Sequence, residues 1–158
     1  MYTILLLTED TLVEHDVTRI AQLHGTDDVR VELLVPADAG HNRLIEALDD
    51  VALGRLREAV EDDDQSPEEA ERTAMHDVNA SLELLRGAGL EAEGLVTGSD
   101  PVPATVEAAK RYDIDEIMVV TPPHLIEAGL HRDWASRLRD EVALPLLHFV
   151  SGTDQVIS

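Results

Sequence analysis

Two short loops carry the residues best placed to do chemistry. Thr8-Glu9-Asp10-Thr11 follows an apolar run near the N-terminus, and Thr121-Pro122-Pro123-His124 follows another late in the chain. Adjacent carboxylates such as Glu9-Asp10 are hard oxygen ligands of the kind that hold Mg²⁺ beside a nucleotide. Paired acids recur along this sequence, however, so the pair alone decides little. Seven histidines raise the question of a metal. None stands in an HxH, HxxxH or HExxH arrangement, and no cysteine is present to complete a zinc site. His124 and His131 flank the second loop and read as solvent-facing residues. His148, between Leu147 and Phe149, reads as an edge or interface residue. Asp62-Asp63-Asp64 lacks the glycine and distal glutamate of a calcium loop and reads as solvated linker. Ser99, Ser136 and Ser151 lack the context of a nucleophile elbow, and no Ser–His–Asp order stands out. Trp134 falls at helical spacing with Leu130 and Leu138, which gives it a core or interface role rather than one in stacking on a ligand. The expectation is a protein without catalytic residues or a metal, and not an enzyme.

The elements that would position the two loops alternate in period. Thr3–Leu7, Val29–Pro36, Leu90–Thr97, Glu116–Thr121 and Pro145–Val150 read as five strands, the first a continuous apolar run suited to burial on both faces. Apolar residues every three or four positions mark five helices between them. The first has Val13, Val17, Ile20 and Leu23. The second has Leu44, Leu48, Ala52, Leu56 and Val60, and the third Ala74, Val78, Leu82 and Leu85. The fourth has Val102, Val106 and Ala109, and the last Leu130, Trp134, Leu138 and Val142. Ser66-Pro67-Glu68-Glu69 is a helix start with Ser as N-cap and Pro at the first helical position. Asp100-Pro101 repeats that logic, and Gly87 and Gly89 can end the third helix. Glu61–Gln65 reads as a solvated loop. Strands alternating with helices imply one α/β domain, a doubly wound parallel sheet with helices on both faces, over residues 1–150. Residues 151–158 read as a loose tail. In such sheets ligands bind beyond the carboxyl ends of the strands where strand order reverses, which singles out the loops after the first and fourth strands.

Composition narrows the partners. The 158 residues carry 33 acidic and 12 basic side chains, a net charge of -21, with a pI near 4.4. Phosphate contacts need clustered Arg and Lys, so nucleic acid is excluded as a partner, and an anionic membrane surface with it. No apolar run approaches the roughly 18 residues of a membrane span, and Met1–Thr8 has neither the basic start nor the cleavage site of a signal peptide. With no cysteine, disulfides are impossible, and a cytoplasmic location is expected. Of the 12 basic residues only Lys110 is lysine. A diffuse acidic surface nearly free of Lys suits molar salt, where the Debye length is about 3 Å and self-repulsion is screened.

Through these residues the sequence resembles the universal stress protein (Usp) family. The opening ILLLTED looks like that family's first strand and acidic turn. Gly98–Thr121 (GSDPVPATVEAAKRYDIDEIMVVT) is the nearest stretch, and Pro145 before the last strand fits as well. The resemblance spans nearly the whole chain, loosely over residues 38–66. It implies a five-stranded sheet in the order 3-2-1-4-5, of the adenine nucleotide alpha hydrolase-like type, and a role in stress response. One branch of the family binds ATP through a motif G-x2-G-x9-G-S/T after the fourth strand, whose amides close on the phosphates. Here the first glycine falls at Val120 or Thr121, the second at Pro123, and the final pair near Arg132-Asp133. Proline has no N–H to donate. The chain instead resembles a subgroup in which a Thr-Pro-Pro or His-Pro-Pro turn replaces the glycines.

The resemblance therefore implies a domain without ATP in the usual mode, with Mg²⁺ only if a nucleotide is present. It would act by dimerisation and by contact with an unidentified protein partner. The alternative is an ATP- or AMP-binding regulatory protein with a rebuilt pocket and at most slow phosphohydrolysis. If a nucleotide binds, the resemblance places it among Thr8, Glu9, Asp10, Val35, Gly98, Thr121 and His124. Leu144–Val150 (LPLLHFV) is uncharged at neutral His and would be an edge strand with unpaired backbone groups. It is expected to pair with its copy across a two-fold axis, and a proline at Leu147 is expected to remove a ladder donor from that homodimer; the competing possibility is that the tail after Ser151 folds back and caps the edge, leaving a monomer.

Overall fold

Alternate residues of the first strand fill two separate cores. The strand β1 (Tyr2–Thr8) sends Ile4 and Leu6 into one cluster and Leu5 and Leu7 into another, all fully buried. The continuous apolar run in the sequence is thus a strand covered on both faces. The computed structural model describes residues 1–25, 27–37, 66–127 and 133–157. The helix expected from Leu44 to Val60, the loop Glu61–Gln65, and Leu130, His131 and Arg132 lie outside the described residues, as does the side chain of His124.

After β1 come α1 (Glu14–His24), β2 (Val29–Pro36), α2 (Pro67–Gly87), β3 (Glu91–Thr97) and α3 (Val102–Arg111). They are followed by β4 (Glu116–Thr121), α4 (Pro123–Glu127), α5 (Trp134–Glu141), β5 (Leu146–Val150) and β6 (Val156–Ile157). The sheet order is β3-β2-β1-β4-β5-β6. Neighbours from β3 to β5 run parallel, with Ile4 opposite Val31 of β2 and Leu6 opposite Met118 of β4. One core packs α1 and α2 on the sheet through Val17, Ile20, Ala74, Val78, Leu82 and Leu85. The other packs α3 and α5 on the opposite face through Val102, Trp134 and Leu138. Each Val, Leu or Ile among them contributes about 1.5–3 kcal/mol when fully buried. Among the described residues no helix is long and apolar enough to cross a membrane.

Local signals set the helix ends. Ser66 Oγ accepts from the Glu69 N–H at 3.2 Å with Pro67 at the first helical position. Asp100 Oδ1 takes the N–H of Val102, the first residue of α3, at 3.2 Å. Gly89, at φ 89°, ends the turn after α2 in a conformation that L side chains rarely adopt.

Three expectations are corrected. The sheet has six strands, because the tail is not loose. It turns at Gly152, and β6 returns antiparallel with Phe149 opposite Val156 and His148 opposite Ile157. The Val150 N–H donates to the Gln155 carbonyl at 3.0 Å. The edge that Leu144–Val150 was expected to leave bare is therefore covered over its last part. A hairpin of a few residues closes at low entropic cost and satisfies groups that a bare edge leaves open. Second, the buried face of α1 is Asp16, Val17 and Ile20, while Val13 and Leu23 stand exposed. Asp16 turns inward because it holds the tail. Third, Leu147 does not face the edge. The Ile117 N–H donates to Pro145 O and the Ser151 N–H to Thr121 O, both at 2.9 Å. Odd-numbered residues of this strand thus pair with β4, and even-numbered ones point outward.

Candidate functional site

The loop after β1 is fastened on every side by its own hydroxyls and by α2. The Thr8 hydroxyl donates to the Asp10 carbonyl at 2.8 Å, a tight turn closed at the strand's end. Asp10 Oδ1 accepts from the Thr11 N–H at 2.7 Å. The Thr11 hydroxyl donates to Asp77 Oδ1 at 2.7 Å, and the Leu12 N–H to Ser81 Oγ at 3.0 Å. Asp77 lies near the interior, and burial is the main force pushing its carboxyl above the usual aspartate range. The Thr11 hydrogen bond opposes that shift, and the neighbouring Asp10 charge adds to it.

Across from this loop stands the turn after β4. Pro122 and Pro123 face Thr8, Asp10 and Thr11 over a crevice of about 220 Å³, closed on a third side by Ser151 and Gly152. Small-molecule sites typically enclose about 300–1,000 Å³. The crevice sits between β1 and β4, where the strand order reverses, as topology requires. Neither proline offers an N–H to it, and the Leu125 N–H is turned back onto Pro122 O at 3.2 Å.

The residues expected together are only partly brought together. Thr8 and Asp10 line the crevice, and Glu9 between them is buried. Thr121 ends β4 just before the proline pair, but its hydroxyl lies 2.7 Å from His148 Nε2 inside the protein. His148 is accordingly an interior residue and not the edge residue its alternation suggested. Val35 is fully buried in the core. Gly98 lies away from the crevice, in a wider groove of about 760 Å³ beside β3 with Thr97 and Ser99. Where the final Gly-Ser pair of the ATP motif would fall, Asp133 precedes α5. Among the described residues no group of three or more His, Asp or Glu side chains could hold a metal ion.

The residue that sequence reasoning missed is Asp16. Fully buried, it accepts from Ser151 Oγ at 2.6 Å, the Gly152 N–H at 2.7 Å and the Val13 N–H at 3.2 Å. It caps α1 and ties down the wall of the crevice at once. The only signal in the sequence was an acid three residues into an otherwise apolar-faced helix, which capping alone explains.

No protein-family model matches the chain, and no curated protein matches it in sequence. Solved structures do. The universal stress protein from Archaeoglobus fulgidus superposes with a TM-score of 0.55 at 17% identity, over 94% of this chain and 93% of that one. This chain has the fold of the universal stress proteins. The hypothetical protein MJ0577 is similar over 98% of this chain and 99% of its own, with a TM-score of 0.60 and 14% identity. A universal stress protein family protein from Arabidopsis thaliana, solved with AMP bound, is similar over 96% and 94%, with a TM-score of 0.55 and 11% identity. Against the five-strand order expected for this fold, the chain adds β6 and the Asp16 anchor that holds it.

Proposed function

We propose that the chain is a universal-stress-type domain of the branch without the glycine-based ATP motif, acting without catalysis through contact with other proteins. The observation that carries this is the Pro122-Pro123 turn at the crevice between β1 and β4. Phosphate cradles are built from backbone N–H groups, and here two successive positions have none. Two further features support it. The crevice is about 220 Å³, below the usual range for a small-molecule site. The hydroxyls of Thr8 and Thr121 are already engaged within the protein. The residues present thus do not fit ATP in the family's manner, and no reaction step is assigned to it. The setting we infer is the cytoplasm of an organism adapted to high salt, from the charge balance and the near absence of Lys.

A second reading, a nucleotide-responsive regulator with a rebuilt pocket, is favoured by Asp10 at the crevice and by AMP bound to the Arabidopsis thaliana protein of the same fold. Calorimetry with ATP and Mg²⁺, and separately with AMP, decides between them. The expected result is no binding tighter than about millimolar, roughly -4 kcal/mol. Micromolar affinity for either nucleotide would overturn the first reading in favour of the second.

A further inference from the structure

The sheet ends at β3, which among the described residues has a neighbouring strand on one side only. The Ala37 N–H donates to Thr97 O at 3.1 Å, so Thr97 and, by alternation, Leu95 and Glu93 turn their backbone groups toward β2. Ala92, Gly94 and Val96 turn theirs outward. Unpaired edges invite strand addition, and proteins cover or charge them. This chain covers the first part: Arg86 Nε and Nη2 both donate to the Ala92 carbonyl, at 3.1 and 2.8 Å. Beyond that point Gly94 and Leu95 stand exposed.

That bare stretch is one wall of the groove of about 760 Å³ beside β3, within the range of about 300–1,000 Å³ typical of a ligand site. The first turns of α2 form the other wall, through Ala70, Glu71 and Met75. Ala92 and Val96 send their side chains into the core beneath α2. A strand laid beside β3 would send alternate side chains the same way, against Ala70 and Met75. Its other side chains would lie on the opposite face, where Glu91, Glu93 and Leu95 stand exposed. One cation, Arg30, is shared between those two carboxylates and Glu32. No Lys or Arg is among the described residues lining the groove, and the molecule carries a net charge of -21. Opposite charges across paired strands attract and like charges repel. A strand of apolar residues alternating with Lys or Arg therefore complements both faces.

We propose that the groove between α2 and the β3 edge docks an extended, basic peptide segment of a partner protein, which adds a strand to the sheet through the outward N–H and C=O groups of Gly94 and Val96. In this mode main-chain hydrogen bonds supply affinity and alternate side chains supply selectivity. The proposal names a partner class for the reading that the domain works through protein contact, and it rests on that reading. The reading is tested with nucleotides and the docking site with a peptide, so the two can fail separately.

The probe is a short end-blocked peptide in which Val alternates with Lys, titrated into the full-length chain and followed by amide NMR. The signals of Gly94 and Val96 should shift saturably and their hydrogen exchange should slow about tenfold, while the amides of β5 stay unchanged. Two control peptides separate the causes. One keeps the charge but has Pro for its central Val, so it lacks a ladder donor. The other has Glu for every Lys and meets like charge. Each should bind about tenfold more weakly or worse. On the protein, Val96→Pro removes an outward donor at an edge, where proline is tolerated. Met75→Glu sets a charge in the apolar wall from an exposed position that folding does not depend on. Each should weaken binding by a similar factor. Equal binding of the proline peptide would reduce the attraction to net charge and overturn the proposal. So would equal binding of the acidic peptide, shifts that avoid Gly94 and Val96, or a Met75→Glu chain that binds as the unaltered one does. Slow exchange at Gly94 and Val96 in the free chain would overturn it too, because the edge would then be paired before any partner arrives.

Discussion

Thr121 Oγ1 and His148 Nε2 lie 2.7 Å apart in the interior, joining the last residue of β4 to the middle of β5. A hydroxyl that sequence position offers to a ligand is spent inside the sheet. Buried polar groups must find partners, and a Thr at a strand's end beside a His on the next strand supplies one. Replacing Thr121 with Val keeps the shape and takes this partner from a buried imidazole nitrogen. The expected loss is about 1–3 kcal/mol of unfolding free energy, read from urea denaturation, whereas Thr121→Ser should lose far less. Equal stability of the Val variant and the unaltered chain would contradict a structural role for Thr121.

Gly94 is a second point where stability should be sharply sensitive. It lies in β3 opposite Leu33 of β2, under α2. A Cβ at this position would approach Val78 Cγ1 to 2.9 Å and Leu33 Cβ to 3.3 Å. Real Cβ atoms essentially never approach another atom within 3.0 Å, so the Val78 side chain, the helix or the strand must shift. Overpacking of this kind costs about 1–3 kcal/mol. Gly94→Ala should therefore lower the unfolding midpoint. Gly98→Ala, with nothing within 4 Å of the added carbon, is the matched control and should change little.

The parallel sheet was legible because its signals are strong and local. TILLL is a short continuous apolar run of the kind that a strand covered on both faces shows, and Ser66-Pro67 and Asp100-Pro101 cap helices by chemistry that does not depend on the fold. The strands β2 and β4 begin and end where their apolar runs do. That a crevice would lie between the loops after β1 and β4 followed from strand order alone. What escaped reading depends on long-range partners. β6 has two residues, too short for any periodicity to register. Asp16 is buried because of Ser151 and Gly152, 135 and 136 positions away. The same holds for His148, whose alternation with Leu147 and Phe149 says nothing of Thr121. Val35 and Gly98 belonged to the expected pocket through family likeness, and the strands place them in the core and beside β3 instead.

Asp77 gives a pH dependence with a definite sign. Burial, the largest influence, holds its carboxyl protonated to higher pH than the 3.8 of an ordinary aspartate. The folded state therefore binds this proton more tightly than the unfolded chain does. Its contribution to stability is fully present below the ordinary value and is lost as pH rises through the raised one. Above the raised value an ionised Asp77 burdens the fold. Asp77→Asn keeps an oxygen to accept from the Thr11 hydroxyl and removes the charge beside Asp10. The variant should melt higher than the unaltered chain at pH 7, with the gap narrowing steadily as the pH approaches 3. A variant that melts lower at pH 7, or a gap independent of pH, would contradict burial as the dominant influence.

Salt should act on the whole surface in the same direction. With 33 acidic and 12 basic side chains, 21 carboxylates remain even if every cation were paired. Some cations are shared among several acids. Arg30 Nε lies 2.7 Å from Glu32, Nη2 3.0 Å from Glu93, and Nη1 4.0 Å from Glu91, which leaves these carboxylates crowded along one edge of the sheet. The surplus acids repel one another in the compact state more than in the unfolded chain, where they lie farther apart. Raising ionic strength from 0.01 to 1 M shortens the Debye length from about 30 Å to about 3 Å. Screening of the repulsion then outweighs the weakening of exposed ion pairs, each worth only about 0–1 kcal/mol. The melting temperature should rise with KCl, most steeply below about 0.5 M, where the screening length changes most. A further climb in potassium sulfate at the same ionic strength would report exclusion of the salt from apolar surface, and subtracting it isolates the charge effect. A melting temperature flat or falling from low to molar KCl would remove the case for adaptation to high salt.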